Sequence, residues 1–417
     1  MFNSIEKIVG WEIKKIPEVV FFQEGPGVRN NQYTKDGVKL LNVANLQDGE
    51  VVLNNTDRYI SETEAYGKYS HFLVDEGDLI IASSGIKVEY FDKKMGFVKK
   101  EHLPLCMNTS TIRFKVLENN EINIKYFCYY LKTNYFKKQI ARLITGSAQL
   151  NFGPSHLKQI DVILPPINIQ SKIVEVLDKA QELINKRKKQ IDDLDELVKS
   201  KFIEMFGNPY KNEKGWEIAE IGKYLNILTD YHSNGSYETL RDNVTLLDIP
   251  SYALMVRTTD LENNNFENEV KYIDEHAYNH LEKSKVFGGE IIINKIGSAG
   301  KVYLMPYLNR PVSLAMNQFL LRFDEEKVNH IFLYNLLLTP YMQSKIKEKV
   351  RGAVTKTITK DAIREINIIV PPISLQKEFV EFVKQVDKLK FEMEEGLKEL
   401  ENNFNSLMQR AFNGELF

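Results

Sequence analysis

The chain has 417 residues and a mass of 48.4 kDa, too long for one ordinary core and long enough for two or three domains. With 43% hydrophobic and 27% charged residues it reads as globular rather than disordered. Lys and Arg number 55 against 57 Asp and Glu, a net charge of −2, which excludes a uniformly basic nucleic-acid binder but not a local basic face. The two cysteines, Cys106 and Cys128, form no C-x-x-C pair; this excludes a disulfide scaffold and a zinc ribbon and fits a reducing compartment. Residues Met1 to Lys7 lack the charged-then-apolar layout of a signal peptide, and no apolar run approaches the roughly 18 residues of a membrane span, so the expected location is the cytoplasm.

In chain order, the first clear pattern is a repeat. Gly10-Trp11-Glu12-Ile13 returns as Gly215-Trp216-Glu217-Ile218, at an offset of 205. Gly77-Asp78-Leu79-Ile80-Ile81 answers Gly289-Glu290-Ile291-Ile292-Ile293, at 212, so the second copy carries an insertion before that point. Met107-Asn108 answers Met316-Asn317, and each leads into a strand-like run ending in Arg113-Phe114 or Arg322-Phe323. Pro165-Pro166-Ile167 and Gln170 answer Pro371-Pro372-Ile373 and Gln376, and ten of the 43 positions in 164–206 are identical to 370–412. A period near 206 is far too long for a solenoid unit. It describes a duplicated domain, and a pseudo-two-fold object of this kind suits a partner that is itself two-fold, such as duplex DNA or a pair of identical subunits.

The expected division is 1–163, 164–213, 214–369 and 370–417. The first and third parts mix short strand signals with Gly, Asn and Asp turns. Leu79-Ile80-Ile81-Ala82 and Ile291-Ile292-Ile293 read as buried strands, and Tyr126 to Arg142 and Ile331 to Lys349 as helices, which gives an α+β domain. In the other two parts, Asn168 and Ser374 are placed to cap long helices. Their seams are Ile173, Leu177, Ala180, Ile184, Arg187, Ile191, Leu194, Val198 and Phe379, Val383, Val386, Lys390, Met393, Leu397, Leu400, Phe404, spaced 4-3-4-3 throughout. Thirty-six residues (171–206) would span roughly 54 Å as a helix. Each seam needs a partner, and the helix of the other copy is the nearest. An antiparallel pair would bring Lys186-Arg187-Lys188-Lys189 to Glu392-Met393-Glu394-Glu395, unless both runs are simply solvated faces. The expected architecture is therefore two pseudo-two-fold-related α+β domains separated by two long helices in an antiparallel coiled coil.

Catalytic patterns fail one by one. Gly297-Ser298-Ala299-Gly300-Lys301-Val302 lacks the first glycine and the final Ser or Thr of a phosphate-binding loop. His276 and His280 lie four apart, but without an H-E-x-x-H frame or an evident third ligand they read as a polar surface helix. Asn208-Pro209-Tyr210 lacks a proline of the amino-methyltransferase motif and follows Gly207, a natural helix stop, so it reads as a linker. Asp92-Lys93-Lys94 has no nuclease context, and no Gly-x-Ser-x-Gly occurs. No metal site and no catalytic residue are expected.

Two polar segments recur at equivalent places. One follows the buried strand and offers Ser83, Ser84 and Lys87 in the first copy and Lys295, Ser298 and Lys301 in the second. The other precedes the long helix and offers Thr145, Ser147, Gln149 and Asn151, then Arg351, Thr355, Lys356 and Thr357. Lys, Arg, Ser and Thr suit phosphates; Gln, Asn and Arg can read base edges. Ordinary turn chemistry is the competing reading of each residue alone. The two copies share position and polarity but differ in residues, as two modules reading different half-sites would.

The duplicated Leu164-Pro165-Pro166-Ile167-x-x-Gln170 and Val370-Pro371-Pro372-Ile373-x-x-Gln376 before long helices resemble the specificity subunit of type I restriction–modification enzymes. So do the helix-ending strings from Lys201 to Pro209 and from Gln409 to Leu416, and Gly77-Asp78-Leu79-Ile80-Ile81 and Gly146-Ser147-Ala148-Gln149. The resemblance covers essentially the whole chain. It implies two target recognition domains, each reading one half of a split, asymmetric double-stranded DNA sequence, with the coiled coil setting the spacing. It further implies two docked methyltransferase subunits that carry S-adenosylmethionine, motor-nuclease subunits using ATP and Mg²⁺ where these exist, and no cofactor or catalytic residue on this chain. The contrasting expectation is a coiled-coil adaptor that binds proteins only and shows no DNA selectivity.

Overall fold

The computed structural model describes residues 11–118, 121–144 and 150–417. The chain forms two compact units, residues 1–188 with 395–417 and residues 189–394, and both boundaries fall inside long helices.

In the first unit a four-stranded antiparallel sheet runs in the order Val20–Glu24, Thr111–Val116, Leu79–Ala82, Met95–Phe97. A three-stranded sheet joins Leu105–Met107, Val38–Leu41 and Tyr59–Ile60, its first two strands parallel. Glu12–Lys15 pairs with Asp161–Leu164, which delivers the chain to Pro165-Pro166. Leu79 to Ala82 are all buried, the burial on both faces that a continuous apolar run requires. After the last strand of the sheet come helices α1 (Ile124–Lys132) and α2 (Asn134–Leu143), and then the 40-residue helix α3 (Ile167–Phe206).

The second unit repeats this order. Its main sheet runs Leu225–Asp230, Gln318–Phe323, Ile291–Asn294, Val302–Leu304, and its second sheet runs Lys271–Ile273, Ala253–Val256, Val312–Leu314, Lys285–Val286, again with one parallel pair. Glu217–Glu220 pairs with Asn367–Val370 as Glu12–Lys15 does with Asp161–Leu164. Helices α4 (His330–Leu338), α5 (Pro340–Lys349) and the 40-residue α6 (Ile373–Phe412) follow. Between Asp230 and Ala253 lies a helix, Tyr237–Asn243, where the first unit has only the turn Asn30–Gln32; this is where the second copy gains residues.

Two local expectations need correction. The single helices expected at Tyr126 to Arg142 and Ile331 to Lys349 are each two helices. Thr133 and Thr339 break them: each is extended, and its hydroxyl accepts the main-chain N–H of Phe136 or Met342 to cap the next helix. The long helices begin at Ile167 and Ile373, so Asn168 and Ser374 are second-position residues rather than caps. The carbonyls of Pro166 and Pro372 take the first turn's N–H groups, from Ile169 and Gln170 and from Leu375 and Gln376. The structure also gives three ion pairs along the long helices. Lys186 pairs with Glu182 on its own helix, Lys188 reaches Glu401 at 2.8 Å, and Lys390 meets Asp195 at 2.7 Å.

The seam itself is buried as its spacing requires. Ile173, Leu177 and Ile184 enter the first unit's core with Phe404 and Phe412; Phe379 and Val383 enter the second unit's core with Phe202 and Phe206. Each such aliphatic or aromatic side chain contributes about 1.5–3 kcal/mol through burial. In the second unit Asp195 lies against Lys390 while Phe206 lies against Phe379, so α3 and α6 run antiparallel. The polar seam positions are accommodated too: Lys390 by Asp195, and Arg187 by Gly396, where a β-carbon would stand 2.6 Å from the guanidinium.

Gln170 and Gln376 explain the repeated motif. Gln170 is fully buried; its carbonyl accepts the N–H of Asn123 at 2.8 Å, and its amide donates to the carbonyls of Glu121 and Pro165. Gln376 does the same with Asn329, Lys327 and Pro371. Asn123 and Asn329 in turn cap α1 and α4. Each long helix is thereby bonded at its first turn to the start of the helix pair it packs upon. Gln170→Met keeps the volume but leaves three main-chain groups unpaired, and should lower the unfolding free energy by about 2 kcal/mol in urea titration. A change below roughly 0.5 kcal/mol would contradict this role.

Candidate functional site

The two polar segments of each copy meet. In the first unit Ser84–Ile86 pairs antiparallel with Leu150–Asn151, and the N–H of Phe152 donates to the carbonyl of Ser83 at 2.9 Å. The side chain of Asn151 holds the turn, accepting from the Ser84 hydroxyl at 2.6 Å and from the N–H of Gly85 at 3.2 Å. Ser83 is buried, and its hydroxyl has no partner among the described residues. Lys87 is exposed, and its carbonyl accepts the N–H of Tyr90. Thr145, Ser147 and Gln149 lie outside the described residues.

In the second unit Ile296 bridges to Thr357, Gly297 N–H donates to the carbonyl of Lys356 at 3.2 Å, and Ile358 N–H donates to that of Lys295 at 3.1 Å. Arg351 and Thr357 exchange both main-chain hydrogen bonds at 2.8 Å and close a small hairpin in which Thr355 and Lys356 are exposed. The strand Ile291–Asn294 positions the first segment, and the end of α5 positions the second.

The cations of this site divide into two groups. Lys295 lies 3.0 Å from Asp230, a buried carboxylate that also takes Lys360 at 2.9 Å and the hydroxyl of Ser233. Lys301 lies 3.3 Å from Glu262, which also accepts from the hydroxyls of Ser298 and Tyr303. The Lys301 hydrogen bond holds the Glu262 carboxyl below its ordinary range. Asn294 completes this patch by donating to the Ser298 hydroxyl at 2.7 Å. Lys295, Ser298 and Lys301 thus brace the segments on which they stand. Arg351 and Lys356 are exposed, and among the described residues neither has an ion-pair partner.

Sequence reasoning missed the residues that shape these segments. Asp230, Glu262 and Lys360 stand far from their partners in sequence, and nothing local marks them. A second omission had a signal. The repeated Asp78 and Glu290 are the partners of the repeated Arg113 and Arg322, at 3.7 and 2.9 Å. Each carboxylate also accepts a turn N–H, from Asp75 or Phe287, and each arginine donates to the carbonyl of Leu73 or Lys285. Residues identical or alike in both copies, one acidic and one basic, could have been paired on that ground.

Burial alone would raise the Asp230 carboxyl, but the hydrogen bonds from Ser233, Lys360 and Lys295 outweigh it and bring the group from its ordinary 3.8 to about 2. A depressed carboxylate stabilises the fold above its unfolded value and loses that contribution as pH falls towards the folded one. Asp230→Asn should therefore cost on the order of 2 kcal/mol at pH 7, with the difference from the parent chain shrinking between pH 4 and pH 2. Denaturant titration across that range checks it; a difference independent of pH would contradict it.

No helix among the described residues is long and apolar enough to cross a membrane, and no group of three or more His, Cys, Asp or Glu among them is placed to hold a metal ion. Residues 8–193 and 213–402 each match the family model for the type I restriction modification DNA specificity domain. The chain is 23% identical to the type I restriction enzyme MjaIX specificity subunit of Methanocaldococcus jannaschii, over 97% of this chain and 93% of that one. It is 22% identical to the EcoBI specificity subunit of Escherichia coli, over 92% and 81%. A chain solved in a study of complex assembly and conformational transition of the type I R-M system shares its fold, with a TM-score of 0.55 at 15% identity over 98% of both chains. With that family model matched twice, over most of its length and on two units of one topology, the chain belongs to the type I restriction–modification DNA specificity family.

Proposed function

We propose that this chain is the sequence-specific DNA-recognition subunit of a type I restriction–modification complex, reading a bipartite, asymmetric site. The observation that carries the reading is the paired polar segments. Each of two units of one topology brings the same two segments together at the same place in its fold, with different side chains on them. Two such modules would read two different half-sites. The parts that act are recognition domains at 1–163 and 214–369 and helical spacers at 164–213 and 370–417.

Exposed Lys87, Arg351 and Lys356 are suited to phosphates, which fix register and orientation; the hydroxyls and amides beside them are suited to base edges. Ser84 and Asn151 bond each other in the structure, so they would either present their free valences together or exchange that bond for one to DNA. Thr145, Ser147, Gln149, Thr355 and Thr357 complete the proposed contact set. A near-neutral net charge fits a subunit that leaves much of the phosphate neutralisation to partners. Those partners are two methyltransferase subunits, which carry S-adenosylmethionine and methylate adenine, and motor-nuclease subunits using ATP and Mg²⁺ where such subunits exist. This chain binds none of these cofactors, supplies no catalytic residue and works in the cytoplasm. The long helices, shared between the units, serve as the spacer and the docking frame.

Methylation mapping of a host that expresses the neighbouring methyltransferase, with and without this chain, tests the proposal. The expected result is a split motif, methylated only when the chain is present. Absence of chain-dependent methylation, with the methyltransferase shown to be folded, would overturn it in favour of a protein-binding adaptor.

A further inference from the structure

The hairpin at the second unit's site carries a feature that phosphate binding does not use. Its tip is Val354, an aliphatic side chain 97% exposed. The hairpin is held in shape. Its ends are closed by the reciprocal Arg351 and Thr357 bonds, and its base is tied to the neighbouring segment through Gly297 and Ile358. Beyond the base, Lys360 is anchored on the buried Asp230. Gly352 has φ +104°, and a β-carbon there would stand 2.1 Å from the carbonyl oxygen of Thr355, so the turn admits only glycine. Val354 is therefore presented to solvent by a braced turn, between two cations, Arg351 and Lys356, that have no ion-pair partner among the described residues.

A surface complementary to this hairpin has a small apolar spot between anions. Duplex DNA offers that arrangement where a thymine 5-methyl group projects into the major groove between the phosphate rows, and apolar side chains contact that methyl in direct readout. The two methyls of a valine are of matching size, and a turn fixed before binding loses little conformational entropy on docking. We propose that Val354 reads the 5-methyl group of a thymine in the half-site recognised by the second unit, with Arg351 and Lys356 on the flanking phosphates. The inference rests on the DNA-recognition reading above and adds to it the identity of one base and the group that selects it. The aligned position in the first copy is Ala148, which lies outside the described residues.

The test uses the full chain assembled with its methyltransferase subunits, and a duplex bearing the sequence found by methylation mapping. Each thymine of the second half-site is replaced in turn by deoxyuridine, which removes only the 5-methyl group. One position is expected to weaken binding about three- to tenfold, the value of one or two buried methyl groups. Val354→Ala should weaken binding to the thymine duplex to a similar degree and bind thymine and uracil duplexes alike, while Val354→Thr, which keeps one methyl and the branch, should retain part of the discrimination. A second half-site without thymine, a uracil series that changes nothing, or a Val354→Ala protein that still distinguishes thymine from uracil would each overturn the inference. So would a Val354→Ala loss that is equal at every sequence, the mark of a wedge between base steps, or a loss of methyltransferase subunits, the mark of a protein contact. The uracil series on the unaltered chain stands even if a variant folds poorly. Failure of the underlying reading is visible earlier and separately, as absence of any sequence-selective binding to the unmodified duplex.

Discussion

Gln170 and Gln376 each bond three main-chain groups at the junction where a long helix leaves its α+β domain. Without those bonds the N–H of the α1 or α4 cap residue and two carbonyls would lose their partner, and the carbonyl of Pro165 or Pro371, whose bond is buried, would alone cost about 1–3 kcal/mol. A glutamine can meet that demand only in one orientation of the helix start. The amide therefore fixes how the helix leaves the domain, and every feature that depends on helix direction inherits that constraint. The aromatic contacts complete it: Tyr126 packs on Phe412 at 5.0 Å in the first unit, and Phe206 packs on Phe332 at 4.7 Å in the second. Each α+β domain is thus held by the start of one long helix and the end of the other.

The coiled-coil seam supplies most of the apolar burial along the helices, and its few polar positions add selectivity. Lys390 has a carboxylate partner on the opposing helix, and Arg187 has a glycine opposite it. An ion pair such as Lys390 with Asp195 adds little stability, but shifting the helices by one heptad would set Lys390 and Arg187 against other neighbours. Such interruptions are the usual means of setting register in coiled coils. Under the proposed function such a register would matter more than extra stability.

Much of this was legible in the sequence because duplication reports on burial. The positions that recur, Pro165, Pro166, Ile167, Gln170 and Phe206 with their counterparts, sit at the helix–domain junctions, and the 4-3-4-3 seam is the buried stripe of α3 and α6. The strands Leu79–Ala82 and Ile291–Asn294 stood out as apolar runs bounded by glycine. The meeting of the two polar segments was legible only as a shared location. Their pairing depends on main-chain bonds between residues about sixty or more apart, which no local pattern encodes. The breaks at Thr133 and Thr339 were hidden because one threonine lowers helix propensity by only a few tenths of a kcal/mol, and only its capping geometry shows that it ends one helix and begins another. Asp230, which binds two lysines 65 and 130 residues away, had no sequence signal at all.

The proposed function makes the long helices a ruler between two independent readers. Deleting seven residues from the middle of both α3 and α6 removes about 10 Å from each while preserving the antiparallel seam and both glutamine junctions. Methylation mapping with that variant is the most direct measurement. A motif whose two halves are unchanged and whose spacer is shorter is the result this account predicts; an unchanged spacer, from a variant that still assembles and methylates, would contradict it.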